Sequence, residues 1–157
     1  MKKSKNKTFA QTKTFRVATY NVENYLDDTA SRCCVKSAAS KTKVRECIRA
    51  LRPDVLALQE MGGVAALLEL RAALQTEGLD FPYWEHVTGS DADVHVAILS
   101  RFPFSARRPH TDDSFELGGQ QWHRHLACVF LNNHSHGNSQ ARCLCHYLQG
   151  CIGSARC

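Results

Sequence analysis

The sequence predicts an α/β domain, in which helices cover a mixed β-sheet. Residues 54–60 (DVLALQE) form an apolar run between Pro53 and the pair Gly62-Gly63, which is typical of a strand buried on both faces. Residues 94–100 (VHVAILS) form a second apolar run of the same kind. A strand that is buried on both faces needs packed layers above and below it. We therefore expect residues 54–60 at the centre of a layered α/β domain.

Length and composition indicate one globular domain with a basic leader. The chain has 157 residues, of which 43% are hydrophobic, and no apolar stretch approaches the roughly 18 residues of a membrane span. Residues 1–16 carry a net charge of +6, residues 17–116 a net of −4 and residues 117–157 a net of +3. The lysines of residues 1–13 precede no apolar segment, so they predict a disordered basic arm without a cleavable export signal. The expected location is cytoplasmic by default.

The first strand and first helix follow from their residue periods. Residues 15–21 alternate and contain aromatic and β-branched side chains, which predicts a strand, and residues 22–25 read as a loop. Residues 26–39 are small and irregular, which favours a surface loop. Ser40 is a plausible N-cap for a helix whose apolar side holds Val44, Cys47, Ile48 and Leu51. Pro53 ends this helix before the central strand.

The next elements repeat the pattern. The pair Gly62-Gly63 breaks the chain, residues 64–76 predict a second helix, and Gly78 suits the position after it. Residues 83–87 and 94–100 predict two further strands, and residues 102–104 a turn. The order β-α-β-α-β-β describes a mixed sheet. No GxGxxG sequence follows a strand, which excludes a dinucleotide-binding domain.

Beyond Glu116 the pattern weakens. Residues 126–131 could form a strand, but residues 119–157 otherwise predict an irregular tail rich in Cys and His. Zinc is one alternative for this tail, because it contains ligand types at Cys128, Cys143, Cys145, His146, Cys151 and Cys157. The spacing differs from the paired C-x₂₋₄-C and H-x₃₋₅-H of structural zinc sites, so the zinc alternative is the weaker one.

Asn21 and Glu60 are the candidate site residues. Each stands at the C-terminal end of a predicted strand, and two strand ends at one rim can converge although 39 positions separate them. A carboxylate with an amide oxygen is a set of hard oxygen ligands that suits Mg²⁺ or Mn²⁺. Spacing alone leaves a second interpretation open, in which Glu60 is a solvated strand end and Asn21 a turn former.

Three motifs carry a family resemblance. Residues 18–25 (ATYNVENY), 52–60 (RPDVLALQE) and 96–103 (VAILSRFP) stand in an order and spacing that resembles the N-terminal half of the endonuclease/exonuclease/phosphatase superfamily, which has the DNase-I-like fold. The resemblance covers residues 14–118. It implies the first half of a four-layer α/β/β/α sandwich.

The resemblance also implies a function. Members of this superfamily are Mg²⁺-dependent phosphoesterases, and their Asn at the first strand end and Glu of the Gln-Glu pair build the metal and phosphate site. Carried over, these residues are Asn21 and Glu60. The implied reaction is hydrolysis of a phosphodiester or phosphomonoester by in-line attack of water, with nucleic acid or another phosphoester as the substrate.

The second half of the family pattern is absent from this sequence. The later motifs, which include Asp-x-Asn and a terminal Ser-Asp-His, need acidic residues, and this chain has no Asp or Glu after Glu116. Asn132-Asn133-His134 fits an Asn-x-His only formally. We therefore expect a truncated or frameshifted chain with an appended peptide, inactive as an enzyme. Half a sandwich would also leave an apolar sheet face exposed.

An alternative function and the expected positions of two further residues complete these expectations. The chain could instead be a non-catalytic module that binds nucleic acid or phosphate through its basic arm. His95 is expected to line the core or the sheet, with a phosphate contact as its alternative. Arg101 is expected to be a surface charge at a strand end. The substrate and the oligomeric state stay open.

Overall fold

The computed structural model describes residues 16–28, 30, 35–89, 91–133 and 140–149. Its elements are two helices and eight strands in the order β1 (Val17–Tyr25), α1 (Ala38–Leu51), β2 (Val55–Met61), α2 (Val64–Thr76), β3 (Tyr83–Val87), β4 (His95–Ser100), β5 (Phe104–Arg107), β6 (His110–Leu117), β7 (Gln120–Asn133) and β8 (Gln140–Gln149). The expected α/β class, with a mixed sheet and covering helices, is confirmed. In the described part of the chain, neither helix has the length and apolarity to cross a membrane.

The first sheet is mixed and has the order β1-β2-β4-β3. β1 and β2 are parallel, with Val17 opposite Val55, and α1 connects them. β4 runs antiparallel to both β2 and β3. Because β2 and β4 lie inside the sheet, both are apolar, and all six residues of β4 are buried.

The helices cover one face of this sheet. Val44 and Ile48 of α1 are buried against it. The apolar side of α2 buries four residues, Ala66, Leu67, Leu70 and Leu74. They pack with sheet residues such as Leu56, Leu58 and Leu99 in one core cluster. Cys47 and Leu51, which the helical period placed on the buried side of α1, are exposed.

A second sheet covers the opposite face. β7 pairs antiparallel with β5, β6 and β8. Because β8 pairs with the same part of β7 as β5 and β6 do, it must lie on the other edge of that strand. Ala127, Val129 and Leu131 of β7 pack against a second core cluster on the first sheet, formed by Val55, Ala57, Val87, Val96 and Ile98. The order of layers is helices, first sheet, second sheet.

The second sheet corrects two expectations. Residues 120–133 and 140–149 are strands, where the sequence predicted an irregular tail with one possible strand at 126–131. β7 also covers the apolar face of the first sheet that half a sandwich was expected to leave exposed. The possible strand at 126–131 is confirmed as part of β7, whereas the rest of β7 and all of β8 show too weak an alternation to be identified without their pairing strands. The expectation of a frameshift, and the domain boundaries at residues 13 and 118, stay predictions.

Element ends show smaller differences. The N-cap of α1 is Ser37, whose Oγ accepts a hydrogen bond from the backbone N–H of Ser40, so Ser40 lies inside the helix. β1 continues through residues 22–25, which the sequence predicted as a loop, because the chain pairs again at Tyr25 after a bulge. Gly78 has a φ of 89°, as expected of a residue just past a helix. The predicted basic arm, residues 1–13, lies outside the described residues.

Candidate metal-binding site

The candidate site lies where β1 and β2 end. The two strands are parallel neighbours, so their C-terminal ends share one edge of the sheet, and Asn21 is paired with Gln59. Glu60 is the next residue along β2. The topology therefore brings the two sequence-predicted residues to the same place.

Their side chains are in direct contact. The Nδ2 of Asn21 donates a hydrogen bond to Oε1 of Glu60 at 2.8 Å. The Oδ1 of Asn21 accepts a hydrogen bond from the backbone N–H of Glu23, also at 2.8 Å. Each end of the Asn21 amide thus has a partner, and this fixes its orientation toward the carboxylate. The convergence that the strand ends suggested is present, and the metal-binding role stays a prediction.

Both strands are irregular at this point. The pairing register of β1 with β2 shifts between Asn21 and Tyr25, and that of β2 with β4 shifts between Leu58 and Met61. Within these bulges, Glu23, Asn24 and Glu60 have φ values of 49°, 55° and 54°. A left-handed backbone costs a non-glycine residue about 1–3 kcal/mol, and such strain is concentrated at functional sites. The bulge redirects the Glu60 side chain relative to an ordinary strand.

Gly62 holds the chain close to β1 just after Glu60. Its backbone N–H donates to the carbonyl oxygen of Tyr25 at 2.8 Å. A Cβ at this position would lie 2.9 Å from Cα of Leu26 and 2.9 Å from the oxygen of Tyr25, and backbone atoms cannot yield easily. Gly62 is therefore required by close approach, where the sequence suggested only a chain break.

Two histidines, on β3 and β4, lie close to the chain segment that follows Glu60. His95 is 8% exposed and is paired with Met61 across β4 and β2, so it lies beside the glutamate. Nε2 of His86, on β3, is 3.0 Å from the carbonyl oxygen of Gly62. The two imidazole rings meet edge to face, with centroids 5.0 Å apart. His95 is thus a sheet-lining residue, as expected, and His86 contacts the backbone near Glu60, which the sequence did not indicate.

Arg101 lies at the other end of the sheet. It follows Ser100, which is paired with Val55 at the start of β2. Its Nη1 is 2.9 Å from Oδ1 of Asp54, and Oδ2 of Asp54 accepts from the backbone N–H of Arg16. This cluster joins three chain segments away from the candidate site, in agreement with the expected strand-end charge.

Charges near the site include a second carboxylate. Glu23 lies two residues after Asn21, with its side chain 84% exposed, and its Oε2 is 3.3 Å from Nζ of Lys36. On the helix side, burial raises the pKa of the Tyr20 phenol, and a hydrogen bond with Cys47 raises it further. Tyr20 is therefore neutral at physiological pH, and the described ionisable groups near this edge include Glu23, Lys36 and Glu60.

The donor set fits a hard divalent cation that keeps most of its water. The contact between Asn21 and Glu60 is exposed to solvent; it presents the carboxylate oxygens of Glu60, while the amide oxygen of Asn21 accepts from the backbone N–H of Glu23. Among the described residues, no group of three or more His, Cys, Asp and Glu side chains could enclose a metal ion. Mg²⁺ and Mn²⁺ bind through one or two carboxylates with water and substrate completing the shell, so a single carboxylate is sufficient.

The structure describes only part of the tail. In the ladder between β7 and β8, Cys128 is paired with Cys145. His134, Cys151 and Cys157 lie outside the described residues, so the zinc alternative and the Asn-x-His match stay untested.

The sequence matches one protein family. A model of the endonuclease/exonuclease/phosphatase family matches residues 18–144, a range that contains Asn21, Glu60 and all the strands from β2 to β7. No match is found among curated proteins.

A solved structure of this family shows the same fold. An endonuclease/exonuclease/phosphatase family protein from Leptotrichia buccalis C-1013-b is 16% identical with a TM-score of 0.51, covering 77% of this chain and 50% of that one. A truncated TDP2 from Caenorhabditis elegans is 18% identical with a TM-score of 0.39, covering 74% of this chain and 40% of that one. The chain thus spans half the length of the first of these structures.

Proposed function

The chain belongs to the endonuclease/exonuclease/phosphatase family, and from this membership we propose that its site is that of a divalent-metal-dependent phosphoesterase. The observation that carries the proposal is the 2.8 Å hydrogen bond between Asn21 and Glu60 at the ends of two parallel strands. The substrate class is a phosphodiester or phosphomonoester, in nucleic acid or in another phosphoester.

The two residues have different roles in this proposal. Glu60 is the metal ligand. Asn21 orients the Glu60 carboxylate through Nδ2, and its own oxygen can reach the ion only by releasing the backbone N–H of Glu23. A bound Mg²⁺ or Mn²⁺ would polarise a phosphoryl oxygen and stabilise the charge that develops on it.

We further propose that residues 1–157 alone bind the metal without turnover. The family resemblance assigns the proton-transfer residues to later motifs that contain Asp and His, and this sequence has no Asp or Glu after Glu116. Glu60 and Asn21 alone provide a place for the ion and the phosphate. They do not provide a base for the attacking water.

Isothermal titration with Mn²⁺ and Mg²⁺ tests the metal site. We expect binding to the wild-type chain and its loss in Glu60→Gln, because the amide removes the anionic ligand while keeping the side-chain shape. Glu46→Gln is the matched control, since Glu46 is an exposed carboxylate of α1 that pairs with Lys43 on the helix surface. Equal metal affinity in wild type and Glu60→Gln would refute the assignment of Glu60.

Phosphoester assays separate the remaining alternatives. With labelled DNA, RNA and a chromogenic phosphodiester, we expect no metal-dependent cleavage by the wild-type chain. Cleavage that disappears in Glu60→Gln would contradict the proposed inactivity and support the site.

A non-catalytic binding module is the second candidate, favoured by the net charge of +6 on residues 1–16. Salt-dependent DNA binding that is equal in both variants would support that module.

A further inference from the structure

We propose that His86 is a positioning residue for the metal-binding carboxylate of Glu60, acting through the backbone of Gly62. The idea rests on the proposed function, because it assigns a supporting residue to the proposed metal ligand. It starts from the 3.0 Å contact between Nε2 of His86 and the Gly62 carbonyl oxygen. A carbonyl oxygen only accepts hydrogen bonds, so Nε2 carries the proton and donates it.

Glu60 needs support from outside its own strand. Its φ of 54° is a conformation that a glutamate adopts only when its surroundings impose it. On the N-terminal side, Leu58 is still paired with Ala97, which fixes the chain before the bulge. On the C-terminal side, Met61 is paired with Tyr25 and His95, and Gly62 makes the next contacts, where the chain leaves β2.

Gly62 is held from two directions. Its N–H donates to Tyr25 on β1, and its carbonyl accepts from His86 on β3, a strand on the far side of β4. The glycine also lies too close to Leu26 for any side chain. Both the N–H and the carbonyl oxygen of Gly62 therefore have hydrogen-bond partners, two residues after the strained Glu60. This arrangement sets the direction in which the Glu60 side chain leaves the sheet.

His86 is itself rigid enough for this role. Its backbone is paired with Ala97 in the ladder of β3 and β4. Its ring rests edge to face on His95, which is buried and paired with Met61. The ring therefore cannot turn away from Gly62 without losing the contact with His95. Groups that hold a metal ligand in place commonly affect metal affinity about 10–100-fold.

Two substitutions separate the hydrogen bond from the packing. His86→Phe keeps a ring against His95 and removes the donor, whereas His86→Gln keeps a donor N–H at a similar distance. His110→Phe is the control, because His110 is an exposed histidine of β6. If His86→Phe does not fold, His86→Asn replaces it, since this side chain is too short to reach the carbonyl.

The readouts are Mn²⁺ affinity, hydrogen exchange of the Gly62 amide without metal, and the free energy of unfolding. We expect His86→Phe to weaken Mn²⁺ binding about tenfold or more and to accelerate exchange at Gly62 beyond any global change. His86→Gln should restore both toward wild type, and His110→Phe should change neither.

Unchanged affinity and unchanged Gly62 exchange in His86→Phe would overturn the proposal. Faster exchange at every amide, in proportion to lost stability, would also overturn it, because His86 would then be only structural. If the wild-type chain binds no Mn²⁺, the proposed function fails, and exchange at Gly62 still decides whether His86 holds this segment.

Discussion

Glu60 has two features that are unusual for a glutamate near the protein surface. Its backbone is left-handed, and its carboxylate is tied to an amide on the neighbouring strand. The first feature costs about 1–3 kcal/mol, and the second restricts a flexible side chain. A carboxylate that is held in one orientation before the ion arrives loses less entropy on binding it. The local strain therefore agrees with a ligand role for Glu60.

The close approach of Gly62 gives a stability prediction at the residue scale. In Gly62→Ala the new Cβ would lie 2.9 Å from two backbone atoms, of Tyr25 and Leu26, so we expect a loss of about 1–3 kcal/mol in the free energy of unfolding. Gly63→Ala is the control, because its Cβ would meet its nearest atom, Oδ2 of Asp27, at 3.5 Å. Urea denaturation measures both variants. Equal losses of stability in the two variants would mean that the chain at Gly62 has room for a Cβ beside Tyr25 and Leu26.

The site residues differ in how far the sequence could predict them. Asn21 and Glu60 stand at the ends of parallel strands, and that topology alone brings them together. His86 reaches the site through the register of two antiparallel ladders and one side-chain hydrogen bond. No local pattern encodes that contact. The pair Gly62-Gly63, which begins two residues after Glu60, was the available sign of a close approach there.

At the scale of elements, Tyr25 connects β1 with both helices. It is fully buried, its hydroxyl donates to Glu69 of α2 at 3.3 Å, and Nζ of Lys41 in α1 lies 4.9 Å from its ring centre. Lys41 and Glu69 also form an ion pair at 2.6 Å. This group fixes the helices over the same strand whose end carries Asn21.

The buried phenol predicts a decline in stability at alkaline pH. Burial, helped by the charge of Glu69, raises the pKa of Tyr25 from 10.0 to about 12. Between these values the folded chain keeps a proton that the unfolded chain releases, so this contribution is complete below pH 10 and is lost as pH rises toward 12.

Urea denaturation across alkaline pH checks this decline, and phenolate absorbance follows the titration itself. In Tyr25→Phe the slope of stability against pH should be shallower, and the tyrosine step near pH 12 should disappear. Tyr83→Phe, at an exposed position, should keep both. An unchanged slope in Tyr25→Phe would contradict the assignment.

Element ends were predictable where one residue decides them. Pro53 and Gly78 mark the ends of α1 and α2 as expected, because proline disfavours helix at the residue before it and glycine readily adopts the positive φ found just past a helix. The predicted start of α1, with Ser40 as N-cap, was wrong by about one turn, since Ser37 and Ser40 are equally good N-caps by residue type. Only the geometry of the hydrogen bond from Ser40 N–H to Ser37 Oγ distinguishes them.

At the scale of the whole molecule, the first sheet is enclosed on both faces. The two long apolar runs at β2 and β4 predicted this, because a strand buried on both faces requires two covering layers. The identity of the outer layer was not predictable. The apolar run at 126–131 indicated a possible strand, but the full length of β7 and its place against the first sheet are recognised only from its partners.

The packing of β7 yields the last prediction. Val129 is fully buried between the sheets, whereas the neighbouring Phe130 is half-buried and lies against the Arg108 guanidinium at 5.1 Å. In Val129→Asp an unpaired charge would enter the apolar layer, so we expect a loss of about 3–5 kcal/mol, enough to unfold a marginal domain. Phe130→Asp faces the other side of the strand, next to a cation, and should cost less than about 2 kcal/mol.

Thermal and urea unfolding of the two variants distinguish two interpretations of the tail, as an integral part of the domain or as an appended peptide. A large difference between positions 129 and 130 means that β7 is an integral layer of the sandwich, as the family match through residue 144 also suggests. Small and equal effects would mean that the segment does not pack on the first sheet. The interpretation of residues 119–157 as an appended peptide would then be the better one, and the first sheet would need another cover for Val55, Ala57, Val96 and Ile98.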